Sequence, residues 1–165
     1  KSEQDLLRLS FILIKKEVVI MSICCFFGHR NVPDSIKPLL EKEIENLIIN
    51  GVADSFYVGN QGNFDILVYN CLKTLSKKYS NIRFKVLLAY PNYSNIYETS
   101  DTYYPKRLKN VSEKSAIPIR NNIMIEKSDT VVCFVERNTG GAARYVRAAE
   151  IRGLKIINLA YRSNL

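Results

Sequence analysis

The glycine-rich stretch at residues 58–65, Val-Gly-Asn-Gln-Gly-Asn-Phe-Asp, has the residue types and spacing of a loop that holds an anion. It follows a short β-branched and aromatic run and precedes a segment with helical apolar periodicity, which predicts a strand, a turn and a helix. Backbone N–H groups at the start of such a helix bind phosphate, and Gly59 and Gly62 let the chain approach closely because they lack a Cβ. The spacing matches neither the dinucleotide-binding nor the P-loop fingerprint. The stretch predicts a phosphate-binding loop or, alternatively, an ordinary strand-to-helix turn.

Three side chains of this stretch, those of Asn60, Asn63 and Asp65, are suited to orient a sugar. Asp65 falls in the first turn of the predicted helix, where a carboxylate interacts favourably with the helix dipole. Facing a ligand, the same carboxylate would accept hydrogen bonds from ribose hydroxyls or activate a water molecule. We favour the ribose contact, and we keep Asp65 and Glu136 as candidate catalytic carboxylates.

A second candidate turn, Gly28-His29-Arg30, directly follows the apolar run at residues 23–27. The guanidinium of Arg30, placed at the end of a strand, would bind a phosphate with two N–H groups. His29 is a candidate for ligand contact or proton transfer, with a structural role in the turn as the alternative.

A third candidate turn, Asn138-Thr139-Gly140-Gly141, repeats the arrangement of strand, glycines and helix. Thr139 is a candidate N-cap of the following helix. Arg144 lies in the first turns of that helix, where a cation opposes the helix dipole unless an anion is shared there. The alternative is that Arg144 and Arg147 lie on a solvated helix face.

The elements that position these turns alternate along the chain. Apolar and β-branched runs predict strands at residues 23–27, 56–58, 84–89, 130–135 and 155–159. Helical spacing and capping residues predict helices from Asp34 or Ser35 to Gly51, at residues 64–79, at residues 119–127 after Pro118, and from the third turn to Gly153.

Strands that alternate with helices predict parallel βαβ units with right-handed crossovers. We therefore predict an α/β fold, a Rossmann-like doubly wound five-stranded parallel sheet in the order 3-2-1-4-5 with helices on both faces. In this order the first and fourth strands are neighbours, and the chain reverses direction between them. Ligands of open α/β sheets bind outside the carboxyl ends of the strands at this point, where all three turns would converge.

Residues 91–118 are the longest stretch without a clear pattern, and they contain Tyr93, Tyr97, Tyr103 and Tyr104. A segment of this length in a compact domain is typically a lid, a binding loop or an unrecognised short helix. Its tyrosines would provide a stacking face for a base, or would pack in an ordinary loop.

Composition narrows the classes of function. A chain of 165 residues with 47% hydrophobic residues predicts a globular fold with its own core. The formal net charge of +8 suits an anionic partner, although the basic residues are scattered. The four cysteines lack the spacing of a zinc site or a disulfide framework, so we interpret them as buried free thiols of a reducing compartment. A single histidine excludes a multi-histidine metal centre, and we predict neither a metal nor a cofactor.

Residues 1–20 contain two short apolar runs that are interrupted by charged residues, and they are too short for a membrane span. We hypothesise that Met21 is the natural start and that this segment is a translated leader, because Lys16-Glu17-Val18 can be encoded by a ribosome-binding sequence. The alternative is an N-terminal helix packed on the domain. On the first hypothesis residues 1–20 are an extension, and residues 21–165 form a single domain.

Four features occur in an order typical of one superfamily. They are the strand followed by Gly-His-Arg, the Gly-Asn-Gln-Gly-Asn-Phe-Asp turn, the Pro-Ile-Arg-Asn-Asn stretch at residues 118–122 before Ser128-Asp129, and the late Gly-Gly pair. Over about residues 22–160 the chain resembles the SLOG superfamily, and within it the YpsA-like branch of bacterial and phage proteins. The resemblance implies a Rossmann-like domain that binds nucleotides or nucleotide-derived signals.

Two related branches of the superfamily imply alternatives. The LOG phosphoribohydrolases cleave the base from a nucleoside monophosphate, and the DprA branch binds single-stranded DNA. By resemblance, Arg120 corresponds to the arginine that LOG enzymes have before their late strand, and Gly140 and Gly141 correspond to the glycine pair of their P-G-G-x-G-T-x-x-E signature. The catalytic Glu of that signature would fall near residues 145–147, where this chain has no carboxylate.

We therefore predict a cytoplasmic module that binds a nucleotide or a nucleotide-derived small molecule. The alternatives are a LOG-like phosphoribohydrolase that uses Asp65, Glu136 or His29, and a single-stranded nucleic-acid binder, which we favour less. We expect no membrane partner and leave open a homo-oligomer. The predicted ligand-binding residues are Gly28, His29, Arg30, Gly59, Asn60, Gly62, Asn63, Asp65, Arg120, Asn121, Thr139, Gly140, Gly141 and Arg144.

Overall fold

A computed structural model describes residues 22–91 and 96–161. The strands are β1 (Ile23–Gly28), β2 (Ser55–Val58), β3 (Arg83–Leu87), β4 (Thr102–Tyr103), β5 (Thr130–Phe134) and β6 (Lys155–Asn158). The main helices are α1 (Lys37–Ile49), α2 (Asn63–Lys78), α3 (Glu113–Lys127) and α4 (Gly141–Ile151). Short 3₁₀ turns at Asp34–Ile36, Thr99–Asp101, Lys106–Leu108 and Leu159–Tyr161 complete the described structure.

The sheet is parallel throughout, with six strands in the order β4-β3-β2-β1-β5-β6. The prediction of an α/β fold with a parallel sheet is confirmed, but five strands in the order 3-2-1-4-5 was wrong. The additional strand β4 lies at the edge, where Thr102 and Tyr103 pair with Val86 and Leu87 of β3. Two residues carry no recognisable sequence periodicity, and their strand conformation depends on pairing with a distant part of the chain.

Helices cover both faces of the sheet because the central strands are apolar on both sides. Cys24 and Phe26 of β1 pack in one core cluster with apolar residues of α1 and α2. Cys25 and Phe27 alternate to the opposite face and pack with residues of α3 and α4. The pairing of β1 with β5, from Cys24 opposite Thr130 to Gly28 opposite Phe134, aligns the carboxyl ends of these two strands.

The beginning of α3 differs from the sequence prediction. We expected the helix to start after Pro118, but α3 begins at Glu113, with Ser112 as its N-cap, and Pro118 lies inside it. Proline removes one backbone N–H donor from a helix but has a φ angle compatible with helical backbone. Tertiary packing of Ala116, Ile123 and Met124 places this stretch in the helix despite that loss.

Two predictions lie outside the described residues, namely the leader hypothesis for residues 1–20 and any role of Tyr93. No helix in the described ranges is long and apolar enough to cross a membrane. The four cysteines are buried and unpaired, as their apolar surroundings predicted. Among the described residues, no group of three or more His, Cys, Asp or Glu side chains is arranged to hold a metal ion.

Candidate functional site

A cavity of about 460 Å³ opens at the carboxyl ends of β1, β2 and β5. Three turns contribute to its wall, namely residues 28–31 after β1, residues 59–62 after β2 and residues 136–141 after β5. The amino-terminal half of α3 closes one side, because Ile117 and Arg120 also line the space. In the sheet, β1 lies between β2 and β5, and the cavity lies at the carboxyl end of β1. This is the position at which ligands of doubly wound sheets are expected to bind.

Most of the residues singled out in the sequence meet at this cavity. Asn60, Asn63 and Arg144 do not line it, and Arg144 instead has its guanidinium carbon 5.9 Å from the centre of the Tyr145 ring. The cavity-lining residues among those predicted are Gly28, His29, Arg30, Gly59, Gly62, Asp65, Arg120, Asn121, Glu136, Thr139, Gly140 and Gly141.

Asn63 holds two loops together. Its Nδ2 donates hydrogen bonds to the Val32 carbonyl at 2.7 Å and to Oδ1 of Asp34 at 2.8 Å. Its backbone N–H donates to the Arg30 carbonyl at 2.9 Å. The amide that we expected to orient a sugar is therefore occupied in joining the start of α2 to the turn after β1.

Arg120 and Asp65 are packed against Gly59. A Cβ at residue 59 would lie 2.5 Å from an Nη atom of Arg120 and 2.8 Å from Oδ2 of Asp65, so only glycine leaves room for both groups. Arg120 is 2% exposed, and the same Nη atom donates to the Leu87 carbonyl at 2.8 Å. Its Nε is buried without a hydrogen-bond partner among the described residues. Oδ2 of Asp65 accepts the Gln61 N–H at 2.8 Å.

Burial has opposite effects on the pKa values of this pair. Desolvation raises the pKa of the Asp65 carboxyl, although the Arg120 guanidinium and the Gln61 N–H counteract it. Desolvation lowers the pKa of Arg120, while the carboxylate of Asp65 and nearby tyrosines favour its charged form. A guanidinium retains its proton under such conditions because its ordinary pKa is far above neutrality. The cavity therefore contains a fixed cation beside a carboxyl group that is easier to protonate than usual.

The surroundings of His29 favour its neutral form. Its Nε2 accepts the Glu136 N–H at 3.1 Å, which requires a lone pair on that nitrogen. Burial and the nearby Arg137 cation lower the pKa of His29, with Glu136 acting in the opposite direction. The nitrogen that would serve as a general base already accepts a backbone hydrogen bond in this structure.

The amino terminus of α4 opens into the cavity and has no acidic residue in its own first turn, although Glu136 of the preceding turn also lines the cavity. Its N-cap is Gly140, at φ +95°, and no side chain caps the helix, so the predicted capping role of Thr139 was wrong. Gly140 takes a backbone conformation that a residue with a Cβ rarely adopts, which explains why threonine does not occupy the cap. The first turn of α4 has no acidic residue, whereas α2 has Asp65 in its first turn. The free N–H groups of α4 are therefore available to an anion.

Several cavity-lining residues were missed in the sequence. Ile117, Met124 and Tyr145 belong to helix faces that resemble ordinary core positions, and periodicity does not distinguish a core face from a cavity wall. Arg137 directly follows Glu136, and this position at the end of a strand was the only signal that could have identified it. The other cavity-lining residues missed are Phe26, Phe27, Asn31, Gln61, Phe64 and Ala142.

Tyr97, Tyr103 and Tyr104, three of the four tyrosines expected to stack on a base, do not line the cavity. Tyr97 is 6% exposed, and its ring lies edge-on to that of Tyr69, with centroids 5.0 Å apart. Tyr103 lies on the exposed side of β4, and the hydroxyl of Tyr104 donates to the Leu108 carbonyl. In the described ranges, this segment contributes packing rather than a stacking surface to the cavity.

The parallel sheet, its covering helices and the crevice at its carboxyl edge define a Rossmann-like α/β domain. A family model named YpsA, described as the YspA SLOG family, matches residues 21–155. The chain belongs to this family, which confirms the resemblance identified in the sequence. Among curated proteins, none matches the chain.

The fold is similar to the X-ray structure of DNA processing protein A (DprA) from Streptococcus pneumoniae. The superposition has a TM-score of 0.55 at 13% sequence identity and covers 84% of this chain and 50% of that chain. The chain thus corresponds to half the length of that protein. At this identity the similarity concerns the fold.

The stretch of α4 that corresponds to the catalytic Glu of the LOG signature, residues 145–147, contains no carboxylate. In the stretch where its Glu would fall, Tyr145 lines the cavity and is 7% exposed. Arg147 is exposed, and its guanidinium donates to the Asn138 carbonyl at 3.4 Å. Glu150, one turn further along α4, is exposed and does not line the cavity.

Proposed function

We propose that this protein binds a nucleotide or a nucleotide-derived small molecule in the cavity at the carboxyl edge of the sheet. The observation that carries the proposal is the uncapped amino terminus of α4, which opens into the same cavity as the buried Arg120 guanidinium. A helix terminus and a fixed cation directed to one space favour a ligand with a phosphate group. Membership of the YpsA family and the similarity of the fold to DprA fit a nucleotide-related function.

The phosphate would lie against Gly140 and Gly141. A Cβ at residue 141 would have no heavy atom within 4 Å, so there is open space directly in front of the helix terminus. Arg30 and Arg137 line the same cavity and are exposed, which provides further positive charge at its mouth. Guanidinium groups bind phosphate oxygens with two parallel hydrogen bonds.

The sugar would lie towards α2 and α3. Asp65 is the acceptor available to ribose hydroxyls, and Asn121 lines the cavity with an amide that both donates and accepts. Because the Asp65 carboxylate already occupies the amino terminus of α2, this side of the cavity is less favourable for an anion than the α4 side. The contrast between the two helix termini orients the ligand, with its phosphate towards α4.

We expect Gly141→Asp to weaken phosphate binding without unfolding the protein. A carboxylate at this position repels a phosphate but stabilises the start of a helix by about 0.3–1 kcal/mol. Isothermal titration calorimetry with AMP and ADP-ribose would show at least about a tenfold rise in Kd for this variant, equivalent to about 1.4 kcal/mol. Thermal unfolding without ligand would give an unchanged or higher Tm.

The matched control is Gly141→Asn, which places a side chain of nearly the same size in the same open space without a charge. It should weaken binding much less than Gly141→Asp. Equal losses in the two variants would show that the helix terminus does not bind an anion. A wild-type protein that binds none of a panel of nucleotides would contradict the proposed function as a whole.

A second candidate function is hydrolysis of the N-glycosidic bond of a nucleoside monophosphate. The observation that favours it is the raised pKa of Asp65, a carboxyl group in the cavity beside Arg120. A carboxylate near the anomeric carbon would activate water or stabilise the positive charge that develops on the sugar.

Chromatography of AMP incubated with the protein would detect released adenine if this second function is correct. Asp65→Asn preserves the acceptor for the Gln61 N–H and should lower the rate of base release at least about 100-fold, the usual contribution of a general base. Glu136→Gln, at the other candidate carboxylate, is the control and should retain the activity. If the wild type releases no free base, hydrolysis is contradicted and the proposed function is binding only.

A further inference from the structure

Tyr145 lines the cavity and lies next to the proposed phosphate position at the start of α4. It lies in the second turn of α4 and is 7% exposed. Its ring stacks on that of Phe27, with centroids 5.7 Å apart and an angle of 23° between the planes. The Arg144 guanidinium carbon lies 5.9 Å from the ring centre. These contacts hold the ring in place and leave its small exposed fraction facing the cavity.

The hydroxyl of Tyr145 has no hydrogen-bond partner in the described part of the chain, although buried tyrosine hydroxyls normally have one. Three other tyrosines have a partner for the hydroxyl. The hydroxyls of Tyr69, Tyr79 and Tyr90 donate to Asp101, Glu45 and the Glu113 carbonyl, respectively. Among the described residues, Arg120 Nε and Ser128 Oγ are the buried side-chain atoms that lack a partner and are shielded from solvent, so the Tyr145 hydroxyl is not shielded in that way. Tyr145 lines the cavity, which is the space next to its ring.

Helix geometry directs this hydroxyl towards the proposed phosphate position. Gly141 and Tyr145 are four residues apart and therefore lie on the same face of α4. Side chains on a helix tilt towards its amino terminus, so the phenol covers the turn whose N–H groups are free. Arg120 is close enough for Tyr145 to influence the pKa of its guanidinium. The Tyr145 hydroxyl, the Arg120 guanidinium and the amino terminus of α4 thus lie around the same part of the cavity.

We propose that the hydroxyl of Tyr145 donates a hydrogen bond to a phosphate oxygen of the bound nucleotide. This inference rests on the proposed function and adds the group that completes the phosphate site. The ligand class is a phosphomonoester or phosphodiester of a nucleoside, with its phosphate between the first turn of α4 and Arg120. Tyr145 is a binding residue in this proposal, since no bond to its oxygen forms or breaks.

The experiment compares wild type and Tyr145→Phe, which removes only the hydroxyl and preserves the stacking on Phe27. Calorimetric titrations would use AMP, ribose 5-phosphate and adenosine as probes. We expect Tyr145→Phe to raise the Kd for AMP and ribose 5-phosphate about tenfold, because a hydrogen bond to a charged acceptor is lost. The affinity for adenosine should not change, and neither should Tm, since the hydroxyl has no partner within the described protein.

The matched control is Tyr69→Phe, which removes a hydroxyl that accepts the Glu98 N–H at 3.1 Å and donates to Asp101 at 3.0 Å, away from the cavity. It should lower Tm and leave AMP binding unchanged, the reverse of Tyr145→Phe. If wild type and Tyr145→Phe bind AMP equally well, the role of Tyr145 is overturned and the proposed function stands. A similar loss for adenosine would overturn the assignment to phosphate. Failure of the wild type to bind any probe would overturn both proposals.

Discussion

At the scale of single residues, the site depends on a glycine that makes room for a charge pair. Residue 59 has no side chain, and the space that a Cβ would need is occupied by an Nη atom of Arg120 and by Oδ2 of Asp65. Burying one charge without the other is costly, so the two groups support each other in this position. The role of Gly59 is therefore packing against this pair, in addition to the sharp turn that its position in the sequence suggested.

His29 gives a pH-dependence that belongs to this scale. Its pKa is lowered from the ordinary value of 6.5, first by burial and then by Arg137. Below about pH 6.5 the unfolded chain binds a proton that the folded protein resists, so the free energy of unfolding should fall as the pH decreases. Urea unfolding of wild type between about pH 5 and pH 7.5 would measure this, since His29 is the only histidine.

His29→Gln is the matched control for that titration. Its side-chain oxygen can accept the Glu136 N–H in place of Nε2 and does not titrate. The free energy of unfolding of wild type, relative to that of this variant, should therefore fall as the pH decreases. A difference that is constant across the range, or one that favours wild type at low pH, would show that His29 is not held neutral.

At the scale of elements, two helices begin at the cavity with opposite electrostatic character. The N-cap residues of α2 and α4 are Gly62 and Gly140, and neither helix has a side-chain cap. The carboxylate of Asp65 lies in the first turn of α2, whereas α4 has no acidic residue there. Since an unopposed helix amino terminus attracts anions, this difference orients the proposed ligand.

Side-chain contacts attach the segment at residues 96–104 to α2. These residues do not line the cavity. Oδ2 of Asp101 accepts from the Tyr69 hydroxyl at 3.0 Å and from Nζ of Lys73 at 3.1 Å. Nζ of Lys73 also pairs with Glu98 at 3.0 Å. These contacts position the segment so that Thr102 and Tyr103 can pair with β3.

Asp101→Asn should lower the free energy of unfolding by about 1 kcal/mol, because it weakens a partly buried ion pair and its hydrogen bonds. Glu98→Gln is the matched control, since it breaks a pair with the same Lys73 at a side chain that is 64% exposed, compared with 17% for Asp101. We expect that control to change stability by less than about 0.5 kcal/mol, as for exposed ion pairs. Chemical denaturation of both variants would compare them, and equal effects would contradict the importance of burial.

At the scale of the whole molecule, topology brings together turns that are far apart in the sequence. Residues 28–31, 59–62 and 136–141 meet because β1 lies between β2 and β5. The formal net charge of +8 agrees with an anionic ligand, and exposed arginines of the cavity mouth contribute to it. The chain covers half of the DprA structure with which it shares its fold.

The sequence by itself determined the alternation of strands and helices and the three glycine turns. Both are local features, since apolar periodicity reflects burial of one strand or helix face, and glycine provides backbone conformations that other residues avoid. The resemblance to the YpsA-like branch also came from the ordered motifs, and the family match confirmed it.

Only the tertiary structure decided the features that depend on distant partners. The two residues of β4 become a strand by pairing with β3, and α3 continues through Pro118 because its apolar side chains are buried. Tyr145 has the same sequence signature as any core residue on α4, and only the position of the neighbouring turns makes it line a cavity. Periodicity predicts that a side chain faces inwards, but the space left beyond it depends on how the elements pack.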